Sequence, residues 1–259
     1  IEAFPSLIAQ TALWLTDHQM NREFSKLSGQ TYKRLPLKKH ANIHHANALT
    51  TDWATVIEPQ KLNYILGNPP FIGAAFKNRE QSVLVKALVN DISTLKLDFV
   101  AAWYFKSAQI MLLNKTIRTA LVSTNSISQG EQPAILWGKL SEYGFKIDFA
   151  HTTFRWTNDA KGAAGVYCVI IGFSYKDNLN KEKRLYNYQE ENGEPIEQFV
   201  SAINGYLRNE IDIAIEKRRK PLSYVPQLIR GNIPYDGGNL ILSKEQKNKL
   251  LFKNPASER

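Results

Sequence analysis

Apolar positions at the head of the chain recur near the 3.6-residue period. Phe4, Leu7, Ile8, Trp14 and Leu15, with Thr11 among them, surround and follow Pro5, a residue suited to a first helical turn. The spacing predicts a helix whose apolar side packs on a sheet. From Asn21 to His40 the residues turn polar and basic without sustained period, which predicts an irregular excursion over the surface. Asn42 to Ala46 reads as a short strand and Leu62 to Leu66 as a better one, stopped by Gly67-Asn68-Pro69-Pro70, where two prolines remove two ladder donors.

The stretch Asp98 to Leu113 is apolar nearly all round, as a helix wedged deep against a sheet must be. Thr119 to Thr124 reads as a buried strand. A helix from about Glu131 carries Pro133 in its first turn and stops at Gly144. Lys146 to Phe154 and Val166 to Phe173 read as strands flanking a loop with Gly162 and Gly165. This alternation predicts an α/β fold with a largely parallel sheet covered on both faces, and a final hairpin admits one antiparallel strand. The charged run Lys176 to Arg184 reads as a boundary, dividing the chain into 1–176 and 177–259. Beyond it Ile196, Phe199, Val200, Ile203 and Leu207 keep helical spacing, and Ile211, Ile213 and Ile215 alternate as in a half-buried strand. Ser243-Lys244-Glu245-Gln246 has capping-box spacing and should open a short helix.

Charge sharpens this picture. Lys and Arg number 33 against 24 Asp and Glu, a formal net charge of +9 that favours a polyanionic partner, nucleic acid first. The single Cys168, in an apolar strand, excludes a disulfide scaffold or a cysteine zinc cluster and suits a reducing cytoplasm. No apolar run approaches the roughly 18 residues of a membrane helix, and no export signal is visible at the amino end. The chain lacks an initiator Met and opens directly into patterned sequence, which reads as an excised piece.

The segment with chemical content is Leu66-Gly67-Asn68-Pro69-Pro70-Phe71-Ile72-Gly73. In open parallel sheets ligands sit beyond the carboxyl ends of strands, where this loop emerges. An exocyclic amine on a planar base is a poor nucleophile because its lone pair is delocalised into the ring, so an enzyme alkylating it must hold both amine hydrogens with acceptors. Asn68 offers a side-chain carbonyl and Pro69 a main-chain one. Pro69 and Pro70 fix φ and stiffen the loop, so little reorganisation is needed at the transition state. Phe71 offers a face for stacking an extracted ring. The bland reading of the same letters is a strand terminator with a core Phe; Gly67 and Gly73, which allow close approach on both sides, favour function.

Here the chain resembles the DNA adenine-N6 methyltransferases with an Asn-Pro-Pro-aromatic motif, and more closely their MmeI-like branch, in which methyltransferase, specificity region and often a nuclease share one polypeptide. The residues carrying the likeness are Phe4-Pro5 with Ile8 to Leu15, Asp17 to Asn21, Tyr64 to Phe71, Ser123 to Ile127, Phe154 to Ala160 and Ile233 to Leu240. The resemblance implies a Rossmann-like, S-adenosylmethionine-dependent sheet, incomplete at its amino end, over 1–176. It implies the start of a second, α+β target-recognition domain over 177–259. The expected activity is base flipping and N6-adenine methylation of double-stranded DNA in a restriction-modification polypeptide.

Carried over by residue, the resemblance makes Asn68 and Pro69 the amine acceptors and Phe71 one stacking wall. The opposite wall is Trp156 or Phe154, with Trp156 preferred because Phe154 ends an apolar strand. Asn47-Ala48 falls where the family places the cofactor's adenine pocket, with Asn47 standing where an acidic residue is usual. Glu2 is the candidate for the ribose contact. The glycine-rich loop that grips the methionine end has no counterpart and would precede Ile1, since Gly162 and Gly165 lie between the last two strands. The chain alone is therefore expected neither to bind cofactor tightly nor to methylate DNA.

Lys217-Arg218-Arg219-Lys220 and Arg230, with Lys181, Lys183, Arg184 and Arg208, are candidates for phosphate contact, although a basic run is more often a solvated face. His44-His45 with Asp52 does not make a metal site, because adjacent strand residues point to opposite faces. Ser123, Ser126 and Ser128 lack a nucleophile-elbow context, and Cys168 lies outside a Pro-Cys loop, against covalent cytosine C5 chemistry. Rival readings are methylation of cytosine N4, an RNA base or a protein glutamine, a DNA-binding module without catalysis, and an α/β scaffold without an active site.

Overall fold

A computed structural model describes residues 3–30, 43–89, 91–156, 165–176, 182–190, 193–211, 223–224 and 241–255. The chain divides into compact units 1–216 and 217–259. In the first unit, in chain order, lie α1 (Ala3–Ser28), α2 (Trp53–Val56), β1 (Tyr64–Gly67), α3 (Arg79–Val89), α4 (Ala101–Leu113), β2 (Arg118–Thr124), α5 (Gln132–Glu142), β3 (Phe145–Trp156), β4 (Val166–Tyr175), β5 (Lys183–Asn187) and β6 (Ile196–Val200). Short 3₁₀ turns at Ala74–Phe76, Ile92–Lys96 and Asn125–Ser128 join several of them. The second unit contributes α6 (Lys244–Lys253).

The six strands form one sheet in the order β1-β2-β4-β3-β5-β6. β1 with β2 and β3 with β5 are parallel, whereas β4 runs antiparallel to β2 and β3, and β6 antiparallel to β5. The hairpin strand β4 thus inserts between β2 and β3, leaving the carboxyl ends of β1, β2, β3 and β5 on one edge. Thr119, Leu121 and Ser123 of β2 are buried while the residues alternating with them are partly exposed. Among the described residues, α4 and α5 therefore cover one face of the sheet, and the expected cover on the second face is not found. Phe173 on β4 is the hub of the core: it stacks on Tyr104 of α4 at 5.5 Å and meets Trp137 of α5 edge-on at 5.8 Å and Phe145 at 6.2 Å. Burial also forces the Tyr104 hydroxyl to find a partner, Ser123 at 2.9 Å, and pushes its phenol pKa up.

The strands at 62–66, 119–124, 146–154 and 166–173 and the helices at 98–113 and 131–144 form close to where the pattern placed them, and Gly144 closes α5 with φ +87°. Several expectations differ. α1 does not stop near Asn21: its polar end stays helical through local bonds, Asn21 to Asp17 at 3.0 Å and Lys26 to Glu23 at 2.6 Å, until Gly29 turns the chain with φ +66°. Its apolar stripe, Phe4, Leu7, Ile8 and Leu15, is exposed rather than packed on the sheet. Ile43 to Ala46 are irregular, without a strand.

Ile196 to Val200 are β6 and not helix, because pairing with β5 and burial of Val200, Ile203 and Leu207 in the core outweigh the spacing. After β6 the Asn204 side chain accepts from the Tyr206 and Arg208 amides at 3.0 and 3.1 Å, and Leu207 takes φ +58°, a turn no helix contains. The sheet also runs on past residue 176, since β5 and β6 extend it and Lys183, counted with a solvated linker, is buried and donates to the Ile147 carbonyl. The alternation at Ile211, Ile213 and Ile215 lies outside the described residues beyond Ile211. In α6 the capping box forms both ways: the Gln246 amide donates to Ser243 Oγ at 3.2 Å and the Ser243 amide to Gln246 Oε1 at 2.8 Å. No helix among the described residues is long and apolar enough to cross a membrane.

Candidate active site

β1 ends at Gly67, whose ladder partner is Leu121; a Cβ there would come within 3.1 Å of the Leu121 side chain, so the loop leaves the sheet where only hydrogen fits easily. Asn68 follows immediately and is exposed, Pro69 is buried, Pro70 is exposed and Phe71 is partly buried. The polar member of the tetrad therefore faces outward from the strand's carboxyl end while one proline anchors the loop.

The far side of the loop is bound to the segment that leads into α4. The Phe99 amide donates to the Ile72 carbonyl at 2.8 Å, and the Ala74 amide donates to Asp98 Oδ1 at 2.8 Å. Asp98 is buried, with 4% of its surface exposed, and its other oxygen accepts from Ser126 and, at 3.4 Å, from Thr124 on the tail of β2. Its own amide donates to Gln132 of α5 at 2.9 Å. Lys77 closes the loop by donating to the Leu95 and Leu97 carbonyls at 3.0 and 2.5 Å. Burial lowers the Lys77 pKa, and the Asp98 charge partly offsets that shift. Sequence reasoning missed Asp98, which reads as the start of an apolar helix, and saw Ser126 only within a resemblance and as a serine without a nucleophile-elbow context.

The second candidate wall stands on β3. Phe154 pairs with Cys168, which in turn pairs with Thr124, so Phe154 is level with the end of β2 and Trp156 projects one strand repeat beyond it. Trp156 is 41% exposed, and Phe154 is partly buried against it at 6.2 Å and against Tyr188 at 5.2 Å. His151 extends this aromatic row, stacked on Tyr186 at 4.3 Å with Nδ1 2.8 Å from the Tyr188 hydroxyl. Since β2 and β4 intervene, β1 and β3 are three ladder spacings apart, roughly 14 Å. Phe71 and the Phe154–Trp156 pair therefore flank the tail of β2 on one edge of the sheet.

Beside β1, His44, Ala48, Thr51, Trp53, Tyr64 and Leu66 are among the residues that line a cavity of about 360 Å³. The Asn47 side-chain oxygen accepts from the Leu49 amide at 3.0 Å, and the Trp53 indole donates to the Ala48 carbonyl at 2.8 Å, so this turn is braced across its own residues. Asp52 caps α2 through the Ala54 amide. Among the described residues no three His, Cys, Asp or Glu side chains are grouped to hold a metal ion. Glu2, Lys181, Lys217, Arg218, Arg219, Lys220 and Arg230 lie outside the described residues.

Comparison with known proteins agrees with this fold. Residues 1–187 match the family model of the MmeI DNA-methyltransferase domain, and residues 209–259 that of the MmeI target recognition domain. DNA methyltransferase A of Bacillus subtilis (strain 168) is 35% identical over 260 residues, covering 98% of this chain and 29% of its own length. The solved Type IIL restriction-modification enzyme MmeI, in complex with DNA, is 47% identical with a TM-score of 0.88, covering all of this chain and 34% of that one. The chain thus spans about a third of the length of these relatives. With its α/β sheet, the Asn68–Phe71 loop at a strand's carboxyl end and matches to both domain models, the chain belongs to the MmeI family of DNA methyltransferases.

Proposed function

We propose that the chain forms the catalytic face of a DNA methyltransferase that modifies adenine N6 and begins the region that reads the target sequence. The observation that carries this reading is the Asn68–Phe71 loop, tied to the sheet at one end and to the segment leading into α4 at the other, with Asn68 exposed. Asn68 Oδ1 and the Pro69 carbonyl accept the two amine hydrogens of a flipped adenine. Phe71 stacks on one face of the ring and Trp156, with Phe154 behind it, on the other. As the amine attacks, positive charge grows on nitrogen, and acceptors already in place stabilise that charge without reorganisation.

S-adenosylmethionine is the donor class that fits, and when bound it supplies an electrophilic methyl group. The cavity beside β1 supports this, because its apolar lining around Ala48 and Trp53 suits a planar ring. Asn47 holds the turn that shapes it, and Glu2 is assigned to the ribose. Double-stranded DNA is the proposed partner, drawn by the +9 charge and contacted by Lys217, Arg218, Arg219, Lys220 and Arg230. Continuation of the sheet through β6 favours a division between the catalytic and recognition parts beyond Val200. Residence in the cytoplasm and a nuclease in the same polypeptide complete the proposal.

The test is methyl transfer by the native protein from radiolabelled cofactor to DNA, followed by digestion to nucleosides. Label in N6-methyladenine is expected. Label in N4-methylcytosine, in RNA or in protein, or no transfer at all, overturns the assignment.

A further inference from the structure

Asp98 is a charged group that the chemistry above does not use, and it is buried beneath a loop whose Asn68 and Pro70 are exposed. An isolated carboxylate in a core is costly, and an apolar residue there would pack at less expense. What keeps the charge satisfied is a convergence of donors from two strand tails: the Ala74 amide from beyond β1, and the Ser126 and Thr124 hydroxyls from the tail of β2. The Phe99 amide, next along the chain, holds the Ile72 carbonyl at 2.8 Å. Asn68 to Phe71 are therefore a four-residue span between two fixed points, the Gly67–Leu121 pairing at one end and the Asp98–Phe99 clamp at the other.

We propose that Asp98 is the positioning residue of the amine-binding loop, setting the placement of Asn68 and Phe71 through Ala74 on one side and Ser126 and Thr124 on the other. This rests on the methyltransferase reading above. Asp98 touches neither base nor cofactor; it acts through the loop. Its loss removes the Ala74 and β2-tail tethers and leaves the far end of the span held by the Phe99–Ile72 backbone bond and Lys77, so the acceptors and the stacking wall drift while surfaces elsewhere stay intact. Misplacement of reacting groups by about 1 Å is enough to cost on the order of a hundredfold in rate.

The experiment is single-turnover methyl transfer by the native protein, with rates referred to the folded fraction. It is joined by KM values for cofactor and DNA and by the fluorescence of a 2-aminopurine at the target position. Asp98→Asn retains an acceptor for the Ala74 amide but presents N–H groups to the two hydroxyls. We expect transfer slowed by roughly ten- to a hundredfold with KM values within about threefold of wild type, and weaker 2-aminopurine brightening. Ser126→Ala with Thr124→Val, which leaves the carboxylate but removes its donors on the β2 side, should move the same readouts in the same direction. If Asp98→Asn does not fold, that double variant decides alone.

Wild-type transfer in the double variant, or in folded Asp98→Asn, overturns the positioning role, as does a loss confined to KM. Asn68→Ala in parallel separates the two layers. If Asn68→Ala is inactive while the Asp98 and Ser126–Thr124 variants are normal, only the positioning role falls. If Asn68→Ala retains activity, the amine-loop reading itself is overturned, and this inference with it.

Discussion

At Gly172 the central strand β4 leaves no room for a side chain: a Cβ there would run into the Phe149 ring from the neighbouring strand, beside the irregular pairing between Ile147 and Phe149. Gly172→Ala should force the ring aside and destabilise the sheet by about 1–3 kcal/mol, read as a lower unfolding midpoint, while Gly138→Ala, where a Cβ meets nothing within 4 Å, should not. His151 carries a pH-dependent effect. Burial between Tyr186 and Tyr188 lowers its pKa, so the folded protein favours the neutral ring. Below about pH 6.5 the unfolded chain takes up the proton first, and the stability present above that pH is lost on acidification towards the folded-state value. Wild type should therefore lose more stability between about pH 7 and 5 than His151→Phe, which keeps a ring but does not titrate; equal losses in denaturant melts would reject this assignment.

Elements obey local signals where no tertiary demand opposes them. The α6 capping box was readable from four residues and forms in full, so Ser243→Ala should cost about 1 kcal/mol of helix stability, seen as faster hydrogen exchange at the Gln246 and Lys247 amides. β6 is the opposite case. Its spacing suits a helix, yet β5 offers an edge to pair with, and Val200, Ile203 and Leu207 are buried only if the segment pairs there and then turns at Asn204. Apolar residues such as Ile196, Phe199 and Val200 suit a strand as well as a helix, and they cannot announce which neighbour will be waiting for them. α1 teaches a related lesson: its helix was legible, and its extent was set by side-chain bonds such as Asn21 to Asp17, which hydrophobic periodicity does not register.

For the whole molecule, function depends on what the sheet edge gathers. Asn68→Ala in the native protein should reduce methyl transfer by more than about a hundredfold while DNA affinity stays near normal, because the proposed acceptor role is exerted mainly as charge develops; transfer within a few-fold of wild type would remove Asn68 from the chemistry. Phe71→Ala should take roughly 1–3 kcal/mol from base stacking and dim the 2-aminopurine response. Replacing Arg218 and Arg219 by Ala should instead weaken DNA binding at low salt and flatten its salt dependence, the slope falling by about 0.9 for each phosphate that is no longer neutralised.

The chain's own letters determined the α/β class, the main strands and helices, the turn at Gly144 and the Asn68–Phe71 loop that ends β1. Each of these is written locally, in period or in glycine and proline chemistry. The tertiary structure decided what lies far apart in sequence: insertion of β4 between β2 and β3, the extension of the sheet by β5 and β6, and the buried Asp98 that ties the tails of β1 and β2 together. These depend on which donors and apolar faces meet once the intervening residues have folded, as with Asp98 and Ala74, which are 24 residues apart in sequence. A carboxylate's worth as an anchor exists only once its partners have been brought to it and water has been excluded.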